Sequence, residues 1–198
     1  MRIVLASGSA GKLREIRALL EPLGHELLTQ AELGVESPPE TGTSFLANAL
    51  LKAHHTSQAT GLPSLADDSG IEVDALQGRP GVRSARYAGE KATDQENLEK
   101  LLEELQQVPA QERAARYRCV VVLVRHVGET APLTAEGVWE GRIAIAPRGS
   151  NGFGYDPVFI PDGLKCTAAE LAAVEKNERS HRAQALRFLR SQLLAAGV

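Results

Sequence analysis

Only two cysteines, Cys119 and Cys166, occur in the 198 residues, and they share no C-x-x-C or other metal-type spacing. A cysteine-based metal centre is thereby excluded, and nothing requires an oxidising compartment. Cys119 lies in the apolar run CVVVLV and reads as a buried free thiol. No stretch approaches the ~20 apolar residues of a membrane span, and the apolar part of MRIVLASGSAGK is too short for a secretory signal. A cytoplasmic protein is expected. The net charge is only −3, which gives no general attraction to nucleic acid or membranes. H-E-x-x-H, G-x-S-x-G and a Cys/His nucleophile constellation are all missing. So are internal repeats, low-complexity tracts and long linkers. What remains is ordinary for a soluble globular chain: 43% hydrophobic and 24% charged residues. A chain of this length buries roughly 70% of its unfolded surface without staples. One domain over residues 1–198 is expected, whole or in two lobes.

Hydrophobic spacing then gives the elements. RIVLA, residues 2–6, reads as a short buried strand. Leu13, Ile16, Leu19 and Leu20 form an apolar stripe that predicts a helix from Lys12 to Leu23, closed by Gly24. A strand follows near His25–Thr29, then a Pro-rich loop over residues 34–43. The next helix starts near Thr43 or Ser44 and runs to about Thr60, with Asn48 and Lys52 four residues apart on a face other than the apolar one. Ser64–Ala66 is expected as a short strand, DDSG as a turn, and IEVDAL as a further strand. Thr93 with Glu96 and Thr167 with Glu170 make two capping boxes. Tyr117–Val127 reads as a central strand, Pro132–Ile145 as one or two more, and Ser180 as the cap of a last amphipathic helix. Strands alternating with helices, then clustering, predict an α/β fold with a mixed sheet. In such folds ligands sit at the carboxyl ends of strands, so the turns after RIVLA and PSLA are where a site is expected.

SGSAGK, Ser7 to Lys12, has the ingredients of an anion site: small residues, a helix N-terminus and a lysine. It is not a Walker A motif, because Ala6 stands where its first glycine should be and Leu13 where its Ser or Thr should be. A phosphate or carboxylate grip and a plain strand–helix corner both remain open. Asp67 and Asp68 are adjacent acids, and neighbours on a strand face opposite ways, so they need not share a job. Carboxylates of this kind suit a hard dication, though Asp, Ser and Gly are also turn residues. Glu40 precedes a helix and matters only if the fold brings it near Asp68. His54 and His55 read as surface residues. GSNGFGYDPVF, residues 149–159, surrounds aromatics with glycine, which suits either stacking on a flat ring or a Gly-rich hairpin with core aromatics. Ser180-His181-Arg182 opens a helix with two residues able to donate to a base or phosphate, or merely caps it.

In this order, LASGSAGK, ETGTSF, NAL, KA, ADDSG, PG, SARYAG, GFGYDP and SHR with QAL are spread over nearly the whole chain. Together they resemble the inosine triphosphate pyrophosphatase family, enzymes acting on deaminated purine nucleoside triphosphates. The resemblance implies an elongated α/β fold, a mixed β-sheet flanked by helices, with two lobes and a nucleotide-binding cleft. It implies hydrolysis of ITP, dITP and XTP to monophosphate and pyrophosphate, a magnesium (Mg2+) cofactor and a homodimer, with no nucleic-acid or membrane partner. By matched position, Ser7, Gly8, Ser9, Ala10, Gly11 and Lys12 would grip the triphosphate, and Lys52 would face phosphate. Glu40 and Asp68 would be tied to the metal, Asp68 would also accept the proton, and Asp67 would support them. Ser69 would contact substrate. Phe153, Gly154, Tyr155 and Asp156 would form the base-contacting loop, with Phe153 stacking. Lys176, His181 and Arg182 would contact the base and nearby groups.

Two positions depart from the family's pattern: Ser9, where Asn is common, and Ala183, where Gly is common. Both put fine substrate preference in question. Two other readings stand beside the main one. A Maf-like nucleotide pyrophosphatase has a similar opening turn, but GFGYDP and SHR argue against it. A nucleotide-binding sensor would keep the pocket without the chemistry, but Glu40, Asp68 and both lysines argue against that.

Overall fold

A computed structural model describes residues 1–195 of the chain. The short apolar run at the start becomes β1 (Arg2–Leu5), with Ile3, Val4 and Leu5 buried. It lies between β2 (Glu26–Thr29) and β3 (Ser64–Val73) and runs parallel to both. A parallel strand covered on both faces is apolar, which is how Ile3 to Leu5 read after the exposed Arg2. With β4 (Ala114–Val124), β5 (Leu133–Ile143) and β6 (Phe159–Pro161) the sheet has the order β2-β1-β3-β4-β5-β6. Because β5 and β6 pair antiparallel, the sheet is mixed, as the alternation of elements predicts.

Helix ends follow local chemistry. Helix α1 (Ala10–Leu20) begins where Ser9 accepts a hydrogen bond from the Lys12 N–H. A 3-10 turn, Glu21–Leu23, continues it to Gly24 in the left-handed conformation, as the spacing anticipates. Helix α2 (Phe45–Thr60) is capped by Ser44 and stopped by left-handed Gly61. Helix α3 (Asp94–Glu104) opens on the Thr93–Glu96 capping box. The second capping box, Thr167 with Glu170, opens only a 3-10 turn. Two short elements carry no strong sequence signal: β6, and α4 (Ala173–Arg179), which ends at Ser180. Helix α5 (His181–Ala195) buries Leu186, Leu189 and Leu193.

The chain groups into two compact units. The first comprises Met1–Asp68, Cys119–Gly137 and the chain from His181 onward. Its core joins Ile3 and Leu5 of β1, Ile16 of α1, Leu65 of β3, Val121 of β4 and Leu189 of α5. The second unit comprises Ser69–Arg118 and Val138–Ser180. Its core is more aromatic, with Tyr117 and Trp139 both edge-on to Phe159 at 4.8 and 5.4 Å between ring centres.

The structure corrects the sequence reading at one point that bears on function. DDSG is not a turn: β3 runs unbroken from Ser64 to Val73. Turn composition is a local preference, and here the strand continues with both acids paired to side chains from the flanking helices. Pro132–Ile145 resolves into a single strand, β5.

Within the first unit, α5 meets β5 through backbone. A Cβ added at Gly137 would stand 2.0 Å from the His181 carbonyl oxygen and 2.7 Å from the Ala185 nitrogen. No rotamer relieves such a contact, so Gly137 sets how near the first turn of α5 comes. Gly137→Ala is expected to lower the unfolding free energy by about 1–3 kcal/mol, measured by urea denaturation. A wild-type midpoint would show that α5 is not held by this approach.

Candidate active site

The carboxyl end of β1 leads through Ser7 and Gly8 into the N-terminus of α1. Ser7 Oγ accepts the Ser9 N–H at 3.3 Å, and Ser9 Oγ accepts the Lys12 N–H at 3.4 Å. Ser9 is thus the helix cap. Ser and Asn cap about equally well, so this departure from the family pattern preserves the turn. Lys12 and Glu15 stand three residues apart on α1, near enough to act on one neighbourhood.

That neighbourhood is Asp67. Lys12 Nζ lies 3.2 Å from its Oδ2, and Arg182 Nε and Nη2 donate to the same oxygen at 3.2 and 3.1 Å. Arg182 Nη1 also donates to Glu15. Cys119 Sγ lies 3.8 Å from Asp67 Oδ2. Burial by itself would raise the Asp67 carboxyl, but Lys12, Arg182 and Lys52 outweigh it and hold Asp67 well below the usual carboxylate range. Burial and the Asp67 charge push the Cys119 thiol up to about 12, so it stays protonated, as a buried free thiol should.

Asp68 faces the other way, as strand alternation requires. Lys52 Nζ donates to its Oδ1 at 3.2 Å and to Glu40 Oε1 at 2.8 Å. Asn48 Nδ2 donates to Asp68 Oδ2 at 3.0 Å. Here burial dominates and raises Asp68 above its ordinary value, with Glu40 adding to it against the pull of Lys52 and Lys12. Burial acts to lower Lys52, but Asp68, Asp67 and Glu40 raise it overall. Two neighbouring acids therefore differ in kind. Asp67 is fixed as an anion, while Asp68 is the more basic, a division that marks acid–base sites.

The metal implied by the resemblance has a fitting donor set. Among the described residues no group of three or more His, Cys, Asp or Glu is placed to hold a metal alone. Glu40 and Asp68 meet on one lysine, however, and magnesium is commonly held by one or two carboxylates with substrate phosphates and waters.

The second unit builds the other expected group. Asp156 Oδ2 accepts the Phe153 N–H at 2.9 Å and a hydrogen bond from Lys176 Nζ on α4. Lys176 Nζ sits 4.8 Å from the centre of the half-buried Phe153 ring. Gly152 has φ +76°, and a Cβ there would fall 2.0 Å from Asp156 Oδ2, so the loop requires glycine at this position. The Gly154 N–H donates to Asp94 at 2.8 Å. Tyr155 belongs to the core instead, and its hydroxyl donates to the Ser84 carbonyl at 2.8 Å. Of the two readings of GFGYDP, core aromatics describes Tyr155, while Phe153 stays half-buried beneath Lys176. Ser69 is half-buried in β3, while His181 is buried at the start of α5.

A sequence model of the Ham1 family matches residues 3–192. This chain belongs to the Ham1 family. It is 54% identical over 194 residues to a protein of Vibrio parahaemolyticus named dITP/XTP pyrophosphatase, covering 98% of this chain and 97% of that one. It is 55% identical over 188 residues to one of Yersinia pseudotuberculosis with the same name, covering 95% of each. Among solved structures it resembles a HAM1 protein from Coxiella burnetii, at 48% identity and a TM-score of 0.90 over 98% of this chain and 99% of that one. It also resembles a nucleoside-triphosphatase, dITP/XTP pyrophosphatase, from Mycobacterium abscessus, at 45% identity and a TM-score of 0.76 over 96% and 98% of the two chains. The family resemblance read from the sequence motifs is borne out.

Within this Ham1 fold, two residues that sequence reasoning passed over join the site. Asn48 was visible only as the partner of Lys52 on one face of α2; its contact with Asp68 shows why it is polar and fully buried. Glu15 lies on the polar side of α1, and only Arg182, 167 residues away, reveals it. Arg182, which the resemblance assigns to the base, has its guanidinium buried against Asp67 and Glu15.

The opposite environments of the two acids generate a stability contrast. Replacing Asp67 by Asn leaves Lys12 and Arg182 short of a buried counter-charge and is expected to cost about 3–5 kcal/mol at pH 7. Asp68→Asn removes a carboxylate that burial disfavours, and is expected to change stability by less than about 1 kcal/mol. The Asp67 contribution is present above the unfolded value near pH ~4 and is lost as pH falls through the depressed folded value. Wild-type stability should therefore fall below pH ~4 with a slope that Asp67→Asn lacks. Equal losses in both variants, by denaturant titration, would overturn the assignment.

Proposed function

We propose that this chain hydrolyses the deaminated purine nucleotides ITP, dITP and XTP to the monophosphate and pyrophosphate, clearing them from the nucleotide pool. The observation that carries the reading is the meeting of Glu40, Lys52 and Asp68 beside the Lys12–Asp67–Arg182 group. The names of the family relatives support it.

Charge decides how such a site works. In these two groups Lys12, Lys52 and Arg182 meet Glu15, Glu40, Asp67 and Asp68, so three cations face four carboxylates. A triphosphate carries about four negative charges at neutral pH and is not drawn to a cluster with this excess of carboxylates unless cationic charge is added. A dication held by Glu40 and Asp68 supplies that charge and, when bound, polarises the phosphates. We assign it as magnesium, the hard ion suited to carboxylate and phosphate oxygens.

The chain's own groups do the remaining work. The N-terminus of α1, from Ser9 to Lys12, offers backbone N–H groups and an ammonium to phosphate oxygens. Lys52 lies between Glu40 and Asp68 and offsets charge that gathers on the leaving pyrophosphate. Asp68 accepts the proton of the water that attacks the α phosphorus. Asp67 holds Lys12 in place and stays ionised throughout. Phe153 offers a ring for the base to stack on, and Lys176, fixed by Asp156, donates to a 6-oxo group. Adenine presents a 6-amino group instead and would leave that donor opposed, which favours the deaminated bases. The proposal includes a homodimer and a cytoplasmic location.

The test is pyrophosphate release from ITP, dITP, XTP, ATP and GTP, with and without EDTA. The first three should be hydrolysed at least about 100-fold more efficiently than ATP, in line with what one well-placed polar contact can discriminate, and only without chelator. Asp68→Asn should lose at least about 100-fold in kcat, within the range for a general base. Equal rates on ATP and ITP would sink the specificity. ITP binding without pyrophosphate release would favour a sensor.

A further inference from the structure

We infer that a polar ridge along α2, formed by Asn48, Lys52 and Thr56, is a template that orders residues 36–42 and so places Glu40 beside Asp68. The three residues stand at successive i+4 positions, one helical turn apart on one face. All three are buried: Asn48 and Thr56 are 0% exposed and Lys52 is 6%. Polar groups so placed on a helix are costly unless each has a partner, and each finds one on or behind the same segment.

The contacts run in register. Asn48 Oδ1 accepts the Gly42 N–H at 2.8 Å. One turn on, Lys52 Nζ reaches Glu40 Oε1 at 2.8 Å. A further turn on, Thr56 Oγ1 donates to Gln30 Oε1 at 3.2 Å, and the other end of that buried amide donates to Ser37 Oγ. Between these, His55 Nε2 lies 3.1 Å from the Glu36 carbonyl oxygen. Segment 36–42 thus runs antiparallel to the helix, with no strand or helix of its own, and is held by side chains from a rigid element.

Asn48 is the joint of this arrangement. Its oxygen holds the segment while its nitrogen holds Asp68 Oδ2, so the two acids are fixed by one amide as well as by one lysine. The approach is close: a Cβ at Gly42 would stand 2.6 Å from Asn48 Oδ1 and 2.9 Å from Ala47 Cβ. Asn48 and Thr56 are therefore positioning residues, and Thr56 acts on Glu40 through Gln30 and Ser37. The catalytic consequence rests on the proposed pyrophosphatase reading; the ordering of the segment does not.

Two variants test the ridge at opposite ends with little disturbance of the core: Thr56→Val, which keeps the shape and removes the hydroxyl, and Gly42→Ala, in the loop. Amide hydrogen exchange over residues 34–43, without nucleotide, should quicken about tenfold in each, as expected when local opening becomes easier. For ITP, kcat should fall about tenfold, the lower end of losses from removing a supporting contact. Combined with Glu40→Gln, neither variant should lower kcat beyond Glu40→Gln alone, because residues acting through one group are not additive. Unchanged exchange in both variants would overturn the template. Losses that multiply with Glu40→Gln would overturn its action through Glu40. A wild-type enzyme that releases no pyrophosphate from ITP would instead overturn the proposed function, and exchange alone would then decide on the ridge.

Discussion

The buried Asp67 carboxylate is the constraint on which the first unit's site depends. Nothing at this position is exposed to water, so its charge stands only because Lys12 and Arg182 converge on one oxygen. Those two cations come from the first turns of α1 and α5. A single anion in β3 therefore fixes the start of two helices. Arg182 passes the constraint on to Glu15, and Gly137 lets α5 come close enough for the contact to form. The opening turn owes its lysine's position to an acid 55 residues further along, not to a glycine-rich loop of its own.

Strand geometry then gives the next residue the opposite fate. Had DDSG formed a turn, both acids would be solvated and alike. Because β3 continues, Asp67 faces Lys12 and Arg182 while Asp68 faces Lys52 and Asn48. One acid is surrounded by excess positive charge and stays ionised. The other shares its lysine with Glu40, and burial makes it the stronger base. One dipeptide in one strand thus yields an acid held as an anion and a more basic neighbour without any special motif.

The local features were legible in the sequence because they depend on neighbours a few residues away. The helix start near Ser44, Gly24 as a stop and the Thr93 box all follow from short-range hydrogen bonding. The motifs also carried the family. What was not legible depends on distance. The composition of DDSG favours a turn, and the partners that accompany the extended chain there lie far off in sequence: Lys12 and Arg182 for Asp67, Asn48 and Lys52 for Asp68. The pairing of Arg182 with Asp67 and Glu15 was likewise hidden, because nothing nearby in sequence shows it. Tyr155 and Phe153 share one glycine-rich loop, yet one ring enters the core and the other keeps a cation above it. Sequence order cannot separate them, since it does not say which side of the loop meets the sheet.

The opening turn resembles a P-loop that has lost its metal-binding hydroxyl, and the charge count explains why none is needed there. In a P-loop one short segment wraps the phosphates and also holds the dication. Here the tasks are divided. In the proposed reading the start of α1 supplies amides and Lys12, while Asp68 on β3 and Glu40 on the segment before α2 supply carboxylates for a dication. That division makes the site depend on how accurately distant segments are held, more than on the chemistry of any one loop. The ridge of α2 and the Asp67 anchor serve that need from two sides: one orders the segment carrying Glu40, the other orders Lys12, and Asp67 and Asp68 are consecutive residues of the same strand. An acidic pair on adjacent strand positions inherits the strand's rigidity, which groups placed on loops alone do not have.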